Sequence, residues 1–495
     1  MSRPGQGRQG RAMPLMQRLT LWLYGLLTWL AIPLLRAKLR RRARAEPAYG
    51  QWVPERFGHY PPHDPPHDPR LAPPASRPGA AGPLVWLHAV SLGETRTAAL
   101  LLAELRAAIP GMRLLLTHGT ATGRAAGQAL LQAGDQQAWL PWDTPGATRR
   151  FLAHFQPRLG ILMETEVWPQ LVAACRAQGL PLVLANARLN AKSHAGAQRL
   201  AWLARPAYAG LTAVLAQTEA DAQRLRALGA PVAGVLGNVK FDLQPSAAQQ
   251  AQGRAWRAAS ARPVVLLAST REGEEAMWLQ VLQVLQDFRS NQPIPHASPW
   301  DAAIKNEADL PRAEASPQTL WSQVQWLLVP RHPQRFDEVA ALCQRAGLRL
   351  ARRSQWGEQG PPAQAVDVWL GDSLGEMALY GSAAHVALLG GSFAPLGGQN
   401  LIELAACGCP VVMGPHTFNF AQAAELALAA SAAQRVPDLA TGLQTACSLA
   451  LDATRQQQAS ACSLAFAQAH RGAARAMAQA LAQWLQADPW FSARP

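Results

Sequence analysis

Short apolar runs alternate with longer, helix-like stretches along the chain after residue 83. Segments such as Thr95–Ala108 and Trp168–Gln178 have the spacing of helices that bury one face. This alternation predicts an α/β fold in which crossover helices join the strands of a parallel sheet. The first half of the chain carries six predicted strands: Val85–Ala89, Arg113–Thr117, Leu159–Met163, Leu182–Ala185, Ala213–Ala216 and Val232–Leu236.

A second series of the same kind begins near Pro263. Two such units in tandem predict two Rossmann-like domains, which we place at residues 84–255 and 256–495. The final amphipathic stretch, Arg471–Gln486, fits a closing helix that crosses back to the first domain. The predicted strands of the second series are Val264–Ala268, Trp326–Val329, Val366–Leu370, Val386–Leu389 and Val411–Met413.

Two polar segments interrupt this pattern. Residues 46–83 are rich in proline, with PPHDPPHDP at their centre, and we interpret them as a linker because proline at that density forms neither helix nor central strand. The two His–Asp pairs could instead hold a metal, but a solvated spacer is the favoured interpretation. Residues 289–322 are polar and contain prolines, which predicts a surface insertion within the second domain.

The N-terminal segment, residues 1–45, is interpreted as a membrane anchor with a basic flank. Leu19–Leu35 contains no charged residue, and a basic cluster at Arg36–Arg44 follows it directly. The basic cluster predicts that the folded domains stay on the cytoplasmic face, next to anionic lipid. A signal peptide is disfavoured because the small-residue cleavage pattern is missing. A helix lying in the interface remains the alternative to one that spans the bilayer.

Charge and cysteine content narrow the function classes. The formal net charge of the 495 residues is +14 and the pI is about 10.4, which is compatible with nucleic acid, an anionic membrane or phosphorylated substrates. The basic cluster after the apolar run favours the membrane, and no RNA-binding motif of interleaved aromatic and basic residues is present. The six cysteines match neither a zinc motif nor a disulfide framework.

Candidate chemistry in the first domain lies where strands end, because ligands of open α/β sheets bind at the carboxyl ends of the strands. Glu94 in HAVSLGETRTA opens a helix after the first strand and is either a dipole-compensating residue or a general base. Glu164 and Glu166 in METEVWP, if extended, face the same side and could bind hydroxyls or cations, or one of them could cap the next helix. Lys240 in GNVKFD closes the domain.

The second domain offers a phosphate-binding pattern. Arg331 and His332 follow a strand in VPRHPQRF, where a basic pair suits an anionic ligand. Glycines in GGSFAPLGGQN lead into a helix predicted to begin near Gln399, whose N-terminus would attract a phosphate. Glu403 lies one turn along that helix and could accept hydrogen bonds from ribose hydroxyls. The segment matches neither a dinucleotide fingerprint nor a P-loop.

The ordered motifs resemble one known family. HAVSLGE, LTHGTATG, LPWDTPGA, METEVWP, LANARL, GNVKFD, STREGEE, VPRHPQRF, GDSLGEM, GGSFAPLGGQN and GPHTFNF occur in the order seen in 3-deoxy-D-manno-octulosonic acid (Kdo) transferases. The resemblance implies an inverting GT-B glycosyltransferase that moves Kdo from CMP-Kdo to the lipid A precursor (lipid IVA) at the bacterial inner membrane. It also implies that the reaction needs no cofactor and no bound catalytic metal.

Carried over position by position, the resemblance assigns the catalytic roles to three residues. Glu94 would be the general base, and Glu164 with Lys240 would stabilise the transition state. The implied CMP-binding positions are Pro330, Arg331, Leu374, Gly375, Glu376, Asn400, Leu401, Ile402 and Glu403.

The chain departs from the family pattern at three places, and two other functions stay open. RLNAKS at Arg188–Ser193 differs from the usual RLSxRS, the insertion is unusual and the linker is long. The alternative enzyme is another GT-B transferase or epimerase that uses a UDP-sugar. The alternative outside enzymes is a non-catalytic membrane scaffold, which the four retained polar residues Glu94, Arg331, Asn400 and Glu403 disfavour.

Overall fold

A computed structural model describes residues 15–61, 82–287, 321–357, 360–362 and 366–486. The described residues form two compact units. Unit 1 contains those up to Asp242 together with those from Arg471 onward, and unit 2 contains those from Leu243 to His470. The segment PPHDPPHDP and nearly all of the predicted insertion lie outside the described residues.

The described part of unit 1 contains a seven-stranded parallel sheet in the order β3-β2-β1-β4-β5-β6-β7. Helices cover both faces, so the central strands β1 and β4 are buried along their whole length. The strands are β1 (Leu84–His88), β2 (Arg113–His118), β3 (Gln136–Trp139), β4 (Leu159–Met163), β5 (Leu182–Ala187), β6 (Ala213–Ala216) and β7 (Val232–Val235).

The helices of unit 1 connect these strands and frame both ends of the chain. They are α1 (Leu15–Leu30), α2 (Ile32–Ala45), α3 (Leu92–Ala108), α4 (Ala121–Gln128), α5 (Pro145–Phe155), α6 (Pro169–Ala177), α7 (Ala191–Arg199), α8 (Ala201–Ala209), α9 (Glu219–Ala227) and, after unit 2, α18 (Ala473–Gln486).

The described part of unit 2 contains a second seven-stranded parallel sheet, in the order β10-β11-β9-β8-β12-β13-β14. Its strands are β8 (Val264–Thr270), β9 (Gln325–Pro330), β10 (Leu350–Arg352), β11 (Val368–Leu370), β12 (Val386–Leu389), β13 (Val411–Met413) and β14 (Ala433–Arg435). Its helices are α10 (Ala247–Ala259), α11 (Glu274–Asp287), α12 (Phe336–Arg345), α13 (Met377–Ala383), α14 (Ile402–Ala406), α15 (Ala421–Ala429), α16 (Leu439–Leu451) and α17 (Ala453–Ala469).

The two predicted parallel α/β units are confirmed, whereas the division between them falls at 242/243 instead of 255/256. Helix α10 lies after the division because it packs against α13 of unit 2. The closing helix α18 does return to unit 1, where Met477 and Leu481 are fully buried beside α3. Asp242 fixes its start by accepting a hydrogen bond from the Ala474 N–H at 2.6 Å.

The first part of the predicted linker differs from a solvated spacer. Residues 47–50 and 53–57 form two 3-10 turns that fold back on unit 1. Glu55 is buried and accepts hydrogen bonds from the Trp139 N–H at 2.7 Å and from Arg124 at 3.0 Å. Buried Arg56 donates to the Gly119 carbonyl at 2.9 Å. The ion pair of Glu55 with Arg124 and the hydrogen bonds from Arg56 to backbone carbonyls therefore attach this segment to the rest of unit 1.

The N-terminal helices pack against unit 1. Among the described helices, none alone has the length and apolarity to cross a bilayer, but α1 and α2 together pass by length and composition, with a 47° bend between them. The middle of α1 lies against α6 and α8. Gly25 is buried there, and Gln170 donates to the Leu21 carbonyl at 2.5 Å. The Tyr24 hydroxyl bonds to buried Asp143, which also caps α6.

We predict that Gly25→Leu detaches α1 from unit 1. A Cβ at Gly25 would lie 2.8 Å from the Pro145 ring, so a larger side chain cannot fit without moving the helix. Amide exchange in α1, measured by mass spectrometry in detergent, should become faster. The control is Gly196→Leu in α7, where an added Cβ meets nothing within 4 Å. Unchanged exchange in α1 of the Gly25 variant would contradict the packing described.

Candidate active site

The catalytic candidates of unit 1 follow β1, β4 and β7. Because all the strands of this sheet are parallel, their carboxyl ends lie at one edge. Strands β1 and β4 are direct neighbours, so the loop that carries Glu94 and the loop that carries Glu164 are adjacent. The sheet thus assembles residues that are far apart in the sequence.

Glu94 is held in a capping arrangement at the start of α3. Ser91 is the N-cap, and its hydroxyl accepts from the Glu94 N–H at 3.4 Å. The Glu94 carboxylate accepts in return from the Val90 N–H at 2.8 Å and from the Ser91 hydroxyl at 3.3 Å. Glu94 is therefore a helix-start residue, as one of the two interpretations predicted. The hydrogen bonds that hold its carboxylate come from uncharged groups, the Val90 N–H and the Ser91 hydroxyl.

The environment of Glu94 raises its pKa from 4.5 to about 7. Burial is the largest cause, because it penalises the ionised form. The Val90 N–H lowers the pKa, whereas the negative charges of Glu164 and Glu166 raise it further. A carboxyl group with a pKa near the physiological pH can accept a proton and also release it.

Glu164 is a buried carboxylate with two cationic partners. Lys240 Nζ lies 3.0 Å from one carboxylate oxygen, and Arg188 Nε donates to the other at 2.7 Å. Only 2% of Glu164 is exposed. Its φ of 56° is in the left-handed region, which is rare for a residue with a side chain and is found at functional sites. The structure brings Glu164 and Lys240 together as predicted for the pair.

The segment after β4 is not extended as predicted. Residues 164 and 165 form a turn, which removes the strand alternation on which the common orientation of Glu164 and Glu166 was based. Neither glutamate caps α6, since Asp143 accepts from the N–H groups of Gln170 and Leu171. Glu166 is half-buried, and burial raises its pKa.

Two residues of LANARL support the glutamate–lysine pair and were missed by the sequence interpretation. Arg188 is the second cation on Glu164. Asn186 is fully buried, and its side-chain oxygen accepts from the Val239 N–H at 3.1 Å, directly before Lys240. Both residues lie at the carboxyl end of β5, which is the neighbour of β4. This position in the sequence could have indicated that they lie near Glu164.

In unit 2, a buried glutamate joins two strand-end loops. Glu274 at the start of α11 accepts from the N–H of Arg271 at 2.9 Å and from the N–H of Gly391 at 2.7 Å. A Cβ at Gly390 would lie 2.3 Å from the Ser269 carbonyl oxygen, so only glycine allows this approach. The motifs STREGEE and GGSFAPLGGQN therefore form one surface.

Cationic side chains gather on that surface. Arg331 leaves the end of β9 and donates to the Gln399 side-chain oxygen at 3.2 Å. Burial lowers the pKa of His332, and the charges of three nearby arginines lower it further. These are Arg271, Arg331 and Arg335. Arg335 donates from two nitrogens to the two carboxylate oxygens of Glu275, at 2.9 and 3.0 Å. Arg331 and Arg271 are the candidates for an anionic ligand, because they lie at the carboxyl ends of neighbouring strands. Arg271 was not among the predicted site residues.

The predicted helix N-terminus near Gln399 is wrong in position. Helix α14 begins at Ile402 and contains five residues, and the Asn400 side chain accepts from the Ile402 N–H at 3.2 Å. The side chains of Leu401 and Ile402 are buried, so they contribute packing. Gly397 has a φ of 89°, and a Cβ there would meet Asn419 at 2.4 Å. The glycines thus serve a tight loop before Asn400, while Glu403 lies on the short helix.

The remaining predicted nucleotide positions lie in the loop after β11. Glu376 forms a two-point ion pair with Arg353, at 2.9 and 3.1 Å. Leu374 and Gly375 are both exposed, and Gly375 has a φ of 77°, which favours glycine in this turn. Pro330, at the end of the neighbouring strand β9, is buried. The loops after β8, β9, β11 and β12 occupy one edge of the second sheet.

The acids near this edge are occupied by protein groups. Burial acts to raise the pKa of Asp372, but hydrogen bonds from Ser354 and from Arg352 outweigh it, so the pKa lies below the ordinary value. Within the residues that the structure describes, no group of three or more His, Cys, Asp or Glu side chains could hold a metal ion.

Known proteins similar to this chain identify its family. A family profile described as 3-deoxy-D-manno-octulosonic-acid transferase (Kdo transferase) matches residues 51–243. The chain is 47% identical to the 3-deoxy-D-manno-octulosonic acid transferase of Bordetella pertussis over 92% of its length and 96% of that relative. The chain belongs to the Kdo transferase family. The Haemophilus influenzae transferase is 28% identical over 83% of the chain and 86% of that relative.

One solved structure shows the fold of this Kdo transferase family member. UDP-GlcNAc 2-epimerase from Neisseria meningitidis covers 82% of the chain, and 100% of the epimerase is matched, with 14% identity and a TM-score of 0.50. This likeness shows the two-domain fold alone. The C-terminal CMP-Kdo binding domain of WaaA from Acinetobacter baumannii is 28% identical over 45% of this chain and 97% of that domain, with a TM-score of 0.32.

We predict that Glu94→Gln stabilises the folded protein above pH 7. With a folded pKa of about 7 against an ordinary 4.5, the protonated carboxyl favours folding at low pH. That contribution is lost as the pH rises from the ordinary pKa through the folded pKa. Glutamine keeps the cap and never ionises, so the Tm difference from wild type should grow between about pH 4.5 and pH 8.

The matched control is Glu104→Gln, later on the same helix α3, which makes the same substitution outside the capping arrangement of Glu94. Scanning calorimetry of both variants over this range measures the difference. A Tm of Glu94→Gln that falls below wild type at pH 8 would show that burial does not oppose the ionised Glu94 carboxylate.

Proposed function

We propose that this enzyme transfers Kdo from CMP-Kdo to the lipid A precursor, with inversion, in lipopolysaccharide biosynthesis. The observation that carries the proposal is the constellation at the strand edge of unit 1. There a glutamate with a pKa of about 7 lies beside a buried glutamate that is paired with a lysine and an arginine. The family supplies the identity of the sugar, and this constellation supplies the means to activate a hydroxyl group.

Glu94 is the proposed base. The acceptor hydroxyl oxygen attacks the anomeric carbon of Kdo, the new C–O bond forms, and the hydroxyl proton passes to the Glu94 carboxylate. The bond from the anomeric carbon to the phosphate oxygen breaks, and its electron pair leaves on CMP. A positioned base of this kind accelerates such reactions by roughly 10²–10⁴-fold.

Glu164 and Lys240 are the proposed stabilising pair. The buried Glu164 carboxylate is held by two cationic side chains, and in the proposed mechanism it lies where the sugar ring develops positive charge. The Arg188 side chain is 47% exposed, so its guanidinium group can also bind the carboxylate of Kdo. No rearrangement of these charges is needed during the reaction.

The leaving CMP is assigned to unit 2. The proposed ligands are the predicted positions in the loops after β9, β11 and β12, with Arg331 and Arg271 as the phosphate-binding cations. Developing charge on the phosphate is stabilised by such fixed positive groups. Leu401 and Ile402, being buried, would contribute only backbone atoms or shape to this site.

The competing enzyme function is that of a UDP-sugar transferase or epimerase. The Neisseria meningitidis epimerase has a similar fold, but its sequence is only 14% identical to this chain. The similarity therefore gives no support to UDP as the ligand. The chain therefore fits CMP-Kdo better on the strength of its 47% identical relative.

We place the enzyme at the cytoplasmic face of the bacterial inner membrane, with α1 lying in the interface. The middle of α1 contacts unit 1, which a bilayer-spanning segment would leave free. Its other face exposes large apolar side chains, including Trp22 at 63% and Trp29 at 62%. Tryptophans of this kind reside at the level of the lipid headgroups. The acceptor, a phosphorylated lipid, is then delivered from the same interface.

The test is mass spectrometry of lipid IVA incubated with CMP-Kdo and the full-length enzyme. Addition of the Kdo mass supports the function, and no product with CMP-Kdo but turnover of a UDP-sugar would overturn it.

We predict that Glu94→Gln lowers turnover by roughly 10²-fold or more. Its CMP affinity should stay within about twofold of wild type, because Glu94 belongs to the unit without the nucleotide site.

Arg331→Ala is the contrasting variant, and it should weaken CMP binding as well as turnover. Isothermal titration with CMP and steady-state kinetics separate the two effects. If Glu94→Gln kept near-normal turnover, Glu94 would be only a helix-start residue and Glu164 would become the leading candidate for the base.

A further inference from the structure

A cavity of about 570 Å³ lies between helix α2 and the folded segment that follows it. From α2 it is lined by Arg36, Leu39, Arg40 and Ala43. These positions are three, four and seven residues apart, so they share one face of the helix. The cavity is separate from the constellation of Glu94, Glu164 and Lys240, and the mechanism above does not use it.

The opposite wall of the cavity is rigid and largely apolar. Val53 and Phe57 belong to the second 3-10 turn of residues 46–61. The ion pair of buried Glu55 with part-buried Arg124 attaches this turn to the rest of unit 1, and Phe57 packs edge-on against Trp142 with ring centroids 5.0 Å apart. The cavity is therefore set by the fold of unit 1 and does not depend on a loose tail.

The charge inside the cavity is positive. None of the lining residues is acidic, and Arg36 lies over the Phe57 ring at 4.6 Å. Within the described parts of the chain, neither Arg36 nor Arg40 forms an ion pair. The nearest carboxylate on the turn, Glu55, is already paired with Arg124. Two arginines beside an apolar wall suit a phosphate attached to an apolar stem.

We propose that this cavity binds one anionic membrane lipid, with the phosphate between Arg36 and Arg40 and the apolar stem against the 3-10 turn. Helix α1, which directly precedes α2 in the chain, exposes large apolar side chains such as Leu26, Trp29 and Leu30. We expect these side chains to enter the lipid and so to bring α2 and its cavity to the membrane surface. The lipid fixes the depth and orientation of unit 1 at the membrane, which a diffuse basic patch would not do.

Matched charge variants distinguish a built site from general attraction. Arg36→Ala/Arg40→Ala removes the two cations of the cavity. Lys38→Ala/Arg41→Ala removes two exposed cations of the same helix that do not line it. Both lose two charges, so long-range attraction to anionic lipid should fall equally.

The full-length protein in uncharged maltoside detergent is titrated with dioctanoyl phosphatidic acid, and bound lipid is counted by native mass spectrometry. We expect one saturable lipid per chain, at least tenfold weaker binding for the Arg36/Arg40 variant, and less than a twofold change for the Lys38/Arg41 variant. Equal loss in both variants, or no saturable binding, would overturn the proposal. Thermal unfolding of each variant verifies that the fold is retained.

Two further ligands separate the sources of binding. Inorganic phosphate and dioctanoylglycerol should each displace dioctanoyl phosphatidic acid poorly. The first has the phosphate without the apolar stem, and the second has the apolar stem without the phosphate. Displacement by phosphate alone would mean a simple anion site, and equal binding of dioctanoylglycerol would mean an apolar groove; either result contradicts the proposal.

A variant that fills the cavity tests its shape without altering charge. Ala43→Phe should weaken binding of the lipid to a similar extent as loss of the arginines. Ala45→Phe, at the end of the same helix and outside the lining, is its control. Undiminished binding by Ala43→Phe would place the lipid elsewhere on the protein.

Discussion

Two carboxylates share the strand edge of unit 1, and they have different surroundings. Glu164 is buried and has Lys240 and Arg188 as ion-pair partners. Glu94 has only neutral donors, so burial and the charge of Glu164 raise its pKa to about 7. In the proposed mechanism, these different surroundings give the two glutamates different roles, Glu164 as a stabilising group and Glu94 as the proton acceptor.

The backbone provides this arrangement at a local cost in strain. Three residues near the carboxyl ends of strands, namely Glu164, Asn186 and Ser269, have φ values between 50° and 58°, a region that is unfavourable for residues with a side chain. Two of them bear on the catalytic pair: Glu164 itself, and Asn186, which holds the segment before Lys240. The same unit also carries α1, α2 and residues 46–61, so the proposed membrane contact and the proposed base belong to one folded unit.

The parallel strands were predictable because both faces of a parallel sheet are buried and its strands are short apolar runs. Strands β3, β10 and β14 were missed, since Gln136, Arg352 and Gln434 interrupt their apolar character. Residues 46–61 looked like a linker because the buried pair of Glu55 and Arg124 joins positions 69 residues apart. Arg188 was recognisable only once β5 stood beside β4. The local pattern of apolar and polar residues thus predicts most of the strands. The composition of the candidate site depends on contacts between segments that are distant in the sequence, which that pattern does not show.

The coupling of Glu94 to Glu164 is tested most directly by the pH dependence of kcat/KM, which reports the free enzyme's base. In wild type, activity should rise with pH through a midpoint near 7. In Glu164→Gln the remaining activity should rise at a lower pH, because a negative charge beside Glu94 has been removed. A wild-type midpoint near 4.5, or the same midpoint in both enzymes, would contradict the assignment of Glu94 as a base tuned by burial and by Glu164.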